Sequence, residues 1–475
     1  VVIPNGGIKM LVTDGAGAGA AVTDVLDMTG GTGNVGLGSG SLGTAITTGT
    51  DNVAIGEAAL DAVTSGTDNT AVGDNAGGAV TTANNNTAVG SSALLVATTG
   101  HSNTAVGKNA GVAITTGINN VAIGSDSLEA NTTGEDNISV GTGTLISNTT
   151  GSYNTALGSD ALDANTTASN NTAVGYASLG ANTTGTSNTA VGRSALLANT
   201  TASNNTAVGR DALTANTTGA SNTAVGVNAL DANTTASNNT AVGTSALTAN
   251  TTGALNTAVG LEALASGTTA SNSTAVGYNA LGATTTQGNL TAMGYSALAA
   301  NTTGDSNTAV GYLALTASTT GSANTAVGLS ALDANTTGGS NTGIGAGALG
   351  GNTTASNNTA VGKNAMLANT TGAENTAVGQ GALDANTTAD NNTAIGREAL
   401  GANTTGESNT AVGTGSLDAN TTASNNTAVG HAALGANTTG HSNVSLGKSS
   451  MEANTTGDSN TAVGFYAFAA NTTGT

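Results

Sequence analysis

Residues Asn171–Ser187 read NTAVGYASLGANTTGTS, one copy of a unit that recurs along nearly the whole chain. Numbering the unit 1 to 17 puts Gly175 at position 5. Equivalent glycines run from Gly56 to Gly464 at a constant spacing of 17, which makes 25, and Gly38 lies 18 residues upstream as a twenty-sixth. A weaker period of 34 sits above this, position 15 alternating over Ala168, Gly185, Ala202 and Gly219. Paired-helix repeats of that length need long apolar helices. Here the apolar pieces are short and are separated by Asn, Thr and Gly, which favour turns. A constant period without insertions is the mark of a solenoid in which each unit is one coil.

The pattern predicts two short strands per coil, positions 1–5 and 8–11, with a tight corner at 6–7 and a longer one at 12–17. Stacked at ~4.8 Å, 25 steps would give a rod of roughly 120 Å. Charge placement supports this register. Lys108, Arg193, Arg210, Lys363, Arg397 and Lys448 all fall at position 6, and the acids of the array fall at positions 6, 7, 10, 16 and 17. Corners and position 10 therefore face water, with Leu179 and Ala181 expected inward. The first strand differs, because Ala173, Val174 and Gly175 follow one another with no variable polar position. Such a strand reads as buried on both faces. One thin coil has a single interior, so the second face calls for another copy of the chain, the position-5 glycines permitting close approach. Asn occupies position 1 in 24 of the 26 coils, the exceptions being Ser273 and Leu290, and stacked Asn side chains form hydrogen-bonded ladders. The fold class read from the residues is all-β, a parallel β-roll or β-solenoid assembled as an oligomeric rod.

Composition narrows function. Of 475 residues 7% are charged, against about a quarter in an ordinary soluble domain. There is no Cys, so neither disulfides nor thiolate metal sites are available. The net charge of −20 argues against nucleic-acid partners, and no apolar run approaches the ~18 residues of a membrane span. No cofactor or metal is implied. His431 and His441 lie less than one coil apart without further ligand types nearby. GTGNVGLGSG at 31–40 resembles a nucleotide loop in composition only, and no catalytic constellation recurs, so the chain reads as a non-enzyme. Asn165-Thr166-Thr167 is formally a glycosylation sequon, read here as corner chemistry. Its threonines also raise an ice-binding alternative, weakened because adjacent residues would point to different sides.

The stretch Asn52-Val53-Ala54-Ile55-Gly56-Glu57-Ala58-Ala59-Leu60, and copies such as NTAVGRSALLA from Asn188, resemble the head repeats of YadA-like trimeric autotransporter adhesins, a type also found in phage tail fibres. The resemblance covers residues 34–475. It implies a left-handed parallel β-roll assembled as a trimer, and the number three comes from it alone. The coil here is a few residues longer than the adhesin repeat, the excess lying in the NTTG/NTTASN corner, and no heptad stalk or anchor barrel is present in this segment.

Residues 1–33 do not fit the repeat and read as an N-terminal cap or attachment segment; 34–475 is the array. The chain begins at Val1 and stops one residue short of a complete coil, which reads as a processed product or a segment of something longer. Tyr278, Tyr295 and Tyr312 occupy position 6 of consecutive coils, a candidate surface for sugar rings or a receptor. Phe465, Tyr466 and Phe468 mark a candidate terminal contact. Gly56, Gly175, Gly464, Asn171, Val174 and Leu179 represent the structural repeat. The function these features imply is a structural fibre shaft, a trimeric phage tail fibre or virion appendage presenting a receptor-binding tip. The alternative is a bacterial cell-surface trimeric adhesin or a self-assembling extracellular filament. The partners implied are further copies of the chain and a cell-surface receptor or glycan, and the location extracellular.

Overall fold

The computed structural model describes residues 33–474 in full and, upstream, the strands Met10–Thr13 and Val22–Leu26, which pair antiparallel. The cap reading of residues 1–33 otherwise falls on residues, Pro4 and Lys9 among them, that lie outside those described. The chain forms two compact units, 1–237 and 238–475. The first holds twelve strands of a parallel ladder, from Val35–Leu37 to Thr223–Val225, and the second fourteen, from Thr240–Val242 to Thr461–Val463. Each coil contributes one three-residue strand, and neighbouring strands pair in register, as Thr172 with Thr189, Ala173 with Ala190 and Val174 with Val191. The protein is an all-β parallel solenoid of 17-residue coils, and no helix occurs among the described residues.

One expectation fails. Positions 8–11 are not a strand. Ala177 at position 7 and Leu179 at position 9 both take left-handed φ, 52° each, and the same alternation repeats in other coils. Hydrogen bonding to neighbouring coils nevertheless continues through this stretch. Leu179 N–H donates to Ala195 O at 2.9 Å and Ala181 N–H to Leu197 O at 3.0 Å, while Ala177 N–H reaches back to Ser159 O at 3.0 Å. The alternating backbone sends consecutive side chains inward. Positions 8 and 9, such as Ala195 and Leu196, are fully buried, whereas position 11 is only half-buried. A left-handed non-glycine residue costs roughly 1–2 kcal/mol. Complete burial of the Leu side chain returns about 1.5–3 kcal/mol, so the leucine at position 9 offsets its own strain.

The core is thin: Ala at positions 3 and 8 and Leu at position 9, fully buried throughout most coils. The position-5 glycine has a different role from the one read in the sequence. Gly175 has φ +132°, and a Cβ there would lie 2.6 Å from Gly192 O and 2.7 Å from its carbonyl carbon. The close approach that it permits is between successive coils of the same chain.

Two buried asparagine files run along the coils. At position 1, Asn188 N–H donates to Asn171 Oδ1 at 3.0 Å and its Nδ2 to Ala202 O at 2.9 Å. At position 12, Asn182 Nδ2 donates to Asn165 Oδ1 at 3.1 Å and to Gly185 O at 2.9 Å. All four of these asparagines are fully buried. In water-free surroundings an unpaired amide would be costly, so each coil is a condition for the next.

Candidate functional site

One regular surface is the outer face of the strand ladder. Within each strand the central residue points inward, so Ala173 is buried while Thr172 and Val174 remain partly exposed on the other side. Position 4 is aliphatic or Met in every coil, and positions 2 and 4 carry no charge anywhere. Among the exposed position-4 side chains are Leu157 at 47% in the first unit and, in the second, Met293 at 43% and Val463 of the last described coil at 68%. The second buried face expected for this strand is thus an open apolar stripe on the single chain. Contiguous apolar surface of this kind is uncommon on soluble monomers and marks interaction sites.

Position 6 forms a second surface. In the second unit Tyr278, Tyr295 and Tyr312 stack ring on ring, with centroids 5.1 and 5.2 Å apart and interplanar angles of 22° and 15°. The neighbouring coils place exposed Leu261 and Leu329 at the same position, giving five consecutive apolar residues. Ring faces turn toward one another along the file, so outward-facing atoms are mainly edges and hydroxyls. Tyr176, also at position 6, is exposed and lies in a coil whose neighbours carry Ser159 and Arg193.

The last described coil gathers three further aromatics. Phe465 and Tyr466 meet edge to face at 4.3 Å, and Lys448 Nζ lies 5.9 Å from the Phe465 ring centre. Phe468 occupies position 9, where Leu is fully buried in interior coils, and is exposed.

Polar groups on the remaining edges stay local. Arg193 and Arg210, both exposed, share the half-buried Asp211, and exposed Arg397 contacts exposed Glu398; such surface pairs contribute little. Burial pushes the Asp163 and Asp384 carboxyls, both at position 10, above the ordinary range. Hydrogen bonds from Asn109 and Ser125 hold Asp126 below it. His441 Nδ1 accepts from Ser424 N–H as part of a corner file, and among the described residues no three His, Cys, Asp or Glu side chains converge as metal ligands.

The structure also reassigns the Asn-Thr-Thr corner. Asn165 is buried with its Nδ2 donating to Asn148 Oδ1 at 2.8 Å and Ala168 O at 3.1 Å, so a glycan on that nitrogen is incompatible with the fold. Thr166 Oγ1 donates to Thr183 O at 3.2 Å, and Thr167 faces solvent. The sequence signal for this second ladder was present, Asn every 17 residues from Asn131 to Asn250, but it was hidden inside a turn-like composition.

No protein-family model, curated protein or solved structure matches the chain.

Proposed function

We propose that the protein is a non-enzymatic fibre shaft that works as a homotrimer, its protomers meeting along the outer face of the strand ladder. The observation that carries this reading is the uncharged file of aliphatic residues and one Met at position 4, partly or largely exposed on the chain alone and repeated in every coil of both units. A face evolved for water would alternate with charge, as positions 6 and 10 do. Burying such a file against two further copies removes apolar surface at ~25 cal/mol per Å², repeated coil after coil. The trimer number rests on the resemblance to YadA-like head repeats. Uniform coils suit a spacer, so the favoured role is the shaft of a phage tail fibre or virion appendage that holds a receptor-binding tip away from the particle. Attachment then gains from three parallel copies, since linked weak contacts bind with an avidity above that of any one.

The exposed tyrosine stack favours a second reading, a bacterial cell-surface adhesin whose shaft itself contacts a receptor or glycan. Immunogold electron microscopy on the native source separates the two. Label on rods projecting from virions supports the fibre; label over cell envelopes supports the adhesin; label on free filaments overturns both.

A further inference from the structure

The chain contains no Cys and no Trp, so its six tyrosines are the side chains most readily oxidised by one electron to a radical that can couple. Only three of them are arranged to do so with one another. Tyr278, Tyr295 and Tyr312 lie in consecutive coils, near parallel, with centroid separations of 5.1 and 5.2 Å. Each is about half exposed, within reach of an oxidant from solution. The others are placed differently: Tyr153 and Tyr176 have no tyrosine at the equivalent position of the adjoining coils, and Tyr466 packs edge-on against Phe465.

We propose that this stack is a site of oxidative phenol coupling, in which carbon–carbon bonds join Tyr278 to Tyr295 and Tyr295 to Tyr312. The co-reactant is a peroxide acting through a haem peroxidase. Each of two adjacent phenols gives up one electron and its hydroxyl proton, leaving two phenoxyl radicals. Their ortho carbons form a single bond, and the hydrogen displaced from each carbon shifts to oxygen to restore the phenol. Per bond the pair loses two hydrogens and one hydrogen peroxide becomes two waters. Tyr295 has two ortho positions and can bond to both neighbours. The stack supplies the proximity that makes coupling within the chain outrun encounter between chains. Each bond closes a loop of one coil and ties that coil covalently to the next. The result is a local staple in a fold that has no cysteine with which to make one.

The test uses the full chain in dilute solution with a haem peroxidase and hydrogen peroxide. The expected product fluoresces as dityrosine, migrates as a single chain on a denaturing gel and loses two hydrogens in mass per bond. Digestion before aspartate supplies the map. Asp305 lies between Tyr295 and Tyr312, and no Asp separates Tyr278 from Tyr295. Peptides 231–304 and 305–332 should therefore remain joined after cleavage. Tyr295→Phe keeps a ring in the stack but removes the shared phenol, and should lower the intrachain yield by roughly fivefold or more, because the remaining two phenols are two coils apart. Tyr176→Phe should leave the yield unchanged. The proposal is overturned if the coupled product is mainly between chains, if it maps to Tyr153 or Tyr176, or if Tyr295→Phe retains most of it.

Discussion

Replacing Ser318 with Asn should stabilise the second unit. Ser318 sits at position 12 between Asn301 and Asn335, where the amide file is broken. In the intact stretch Asn352 Nδ2 donates to Asn335 Oδ1 and Asn369 Nδ2 to Asn352 Oδ1, each at 2.9 Å. At the break, Asn301 Oδ1 and Ser318 Oγ are both buried without a hydrogen-bond partner. An Asn at 318 would donate to Asn301 Oδ1 and to Gly321 O, and would accept from Asn335 Nδ2. Three hydrogen bonds at a net 0.5–1.5 kcal/mol each, with a buried orphan acceptor satisfied as well, sum to about 3–4 kcal/mol. Ordering a longer side chain takes back about 1 kcal/mol, leaving roughly 2–3 kcal/mol. Coils in a solenoid interact with their neighbours only, so the gain is local and a global melting curve would dilute it. Amide hydrogen exchange in residues 307–340 reads it directly, and should slow about thirtyfold or more in Ser318→Asn. The converse variant Asn352→Ser should speed exchange in its own coil and the next. Unchanged or faster exchange in Ser318→Asn would refute the view that the position-12 file is a supporting element.

Three further outcomes are expected. Gly175→Ala places a methyl 2.6 Å from Gly192 O at a left-handed φ, and should cost several kcal/mol, seen as early urea unfolding of the first unit; a midpoint shift within error would contradict the close-approach argument. Because burial raises the Asp163 and Asp384 carboxyls, the folded chain binds protons more tightly than the unfolded one. Stability should therefore rise as pH falls through the raised values and level off below the ordinary 3.8. Urea titrations should show this, and Asp163→Asn should reduce the slope in the first unit; an unchanged slope would remove burial as the cause. Expression through a glycosylating secretory route should modify Asn165 and its equivalents before folding and yield misfolded chain, whereas cytoplasmic bacterial expression should yield the solenoid. Folded protein carrying a glycan on Asn165 would contradict the burial of that side chain.

Much of the architecture was legible because it rests on strict translation. The 17-residue spacing, the strand at Thr172–Val174, the charged corners and the position-1 asparagine file all follow from residues that repeat in register. What was not legible depends on backbone conformations that side-chain identity does not announce. Leucine seldom takes a left-handed φ, so Leu179 read as one inward residue of a strand rather than as a turn residue held by its own burial. The position-12 file was missed because Asn-Thr-Thr has the composition of a surface turn, and only the coil geometry buries Asn165. The role of Gly175 was assigned to a neighbouring chain, since a sequence shows that a close approach is needed but not to what. For the candidate surfaces the sequence went further. The exposed stripe at position 4 and the tyrosines of position 6 are both apolar outliers in a repeat whose other outward positions are polar.

A shaft of this kind requires the outer face of the ladder to be covered by further copies of the chain. The most direct measurement is the molar mass of the purified protein by sedimentation equilibrium across a wide dilution range, together with a variant carrying Asp in place of Val191 and Val208. A homotrimer gives three times the 44.5 kDa chain mass, stable to dilution, and dissociates in the variant. A native species of single-chain mass would contradict it.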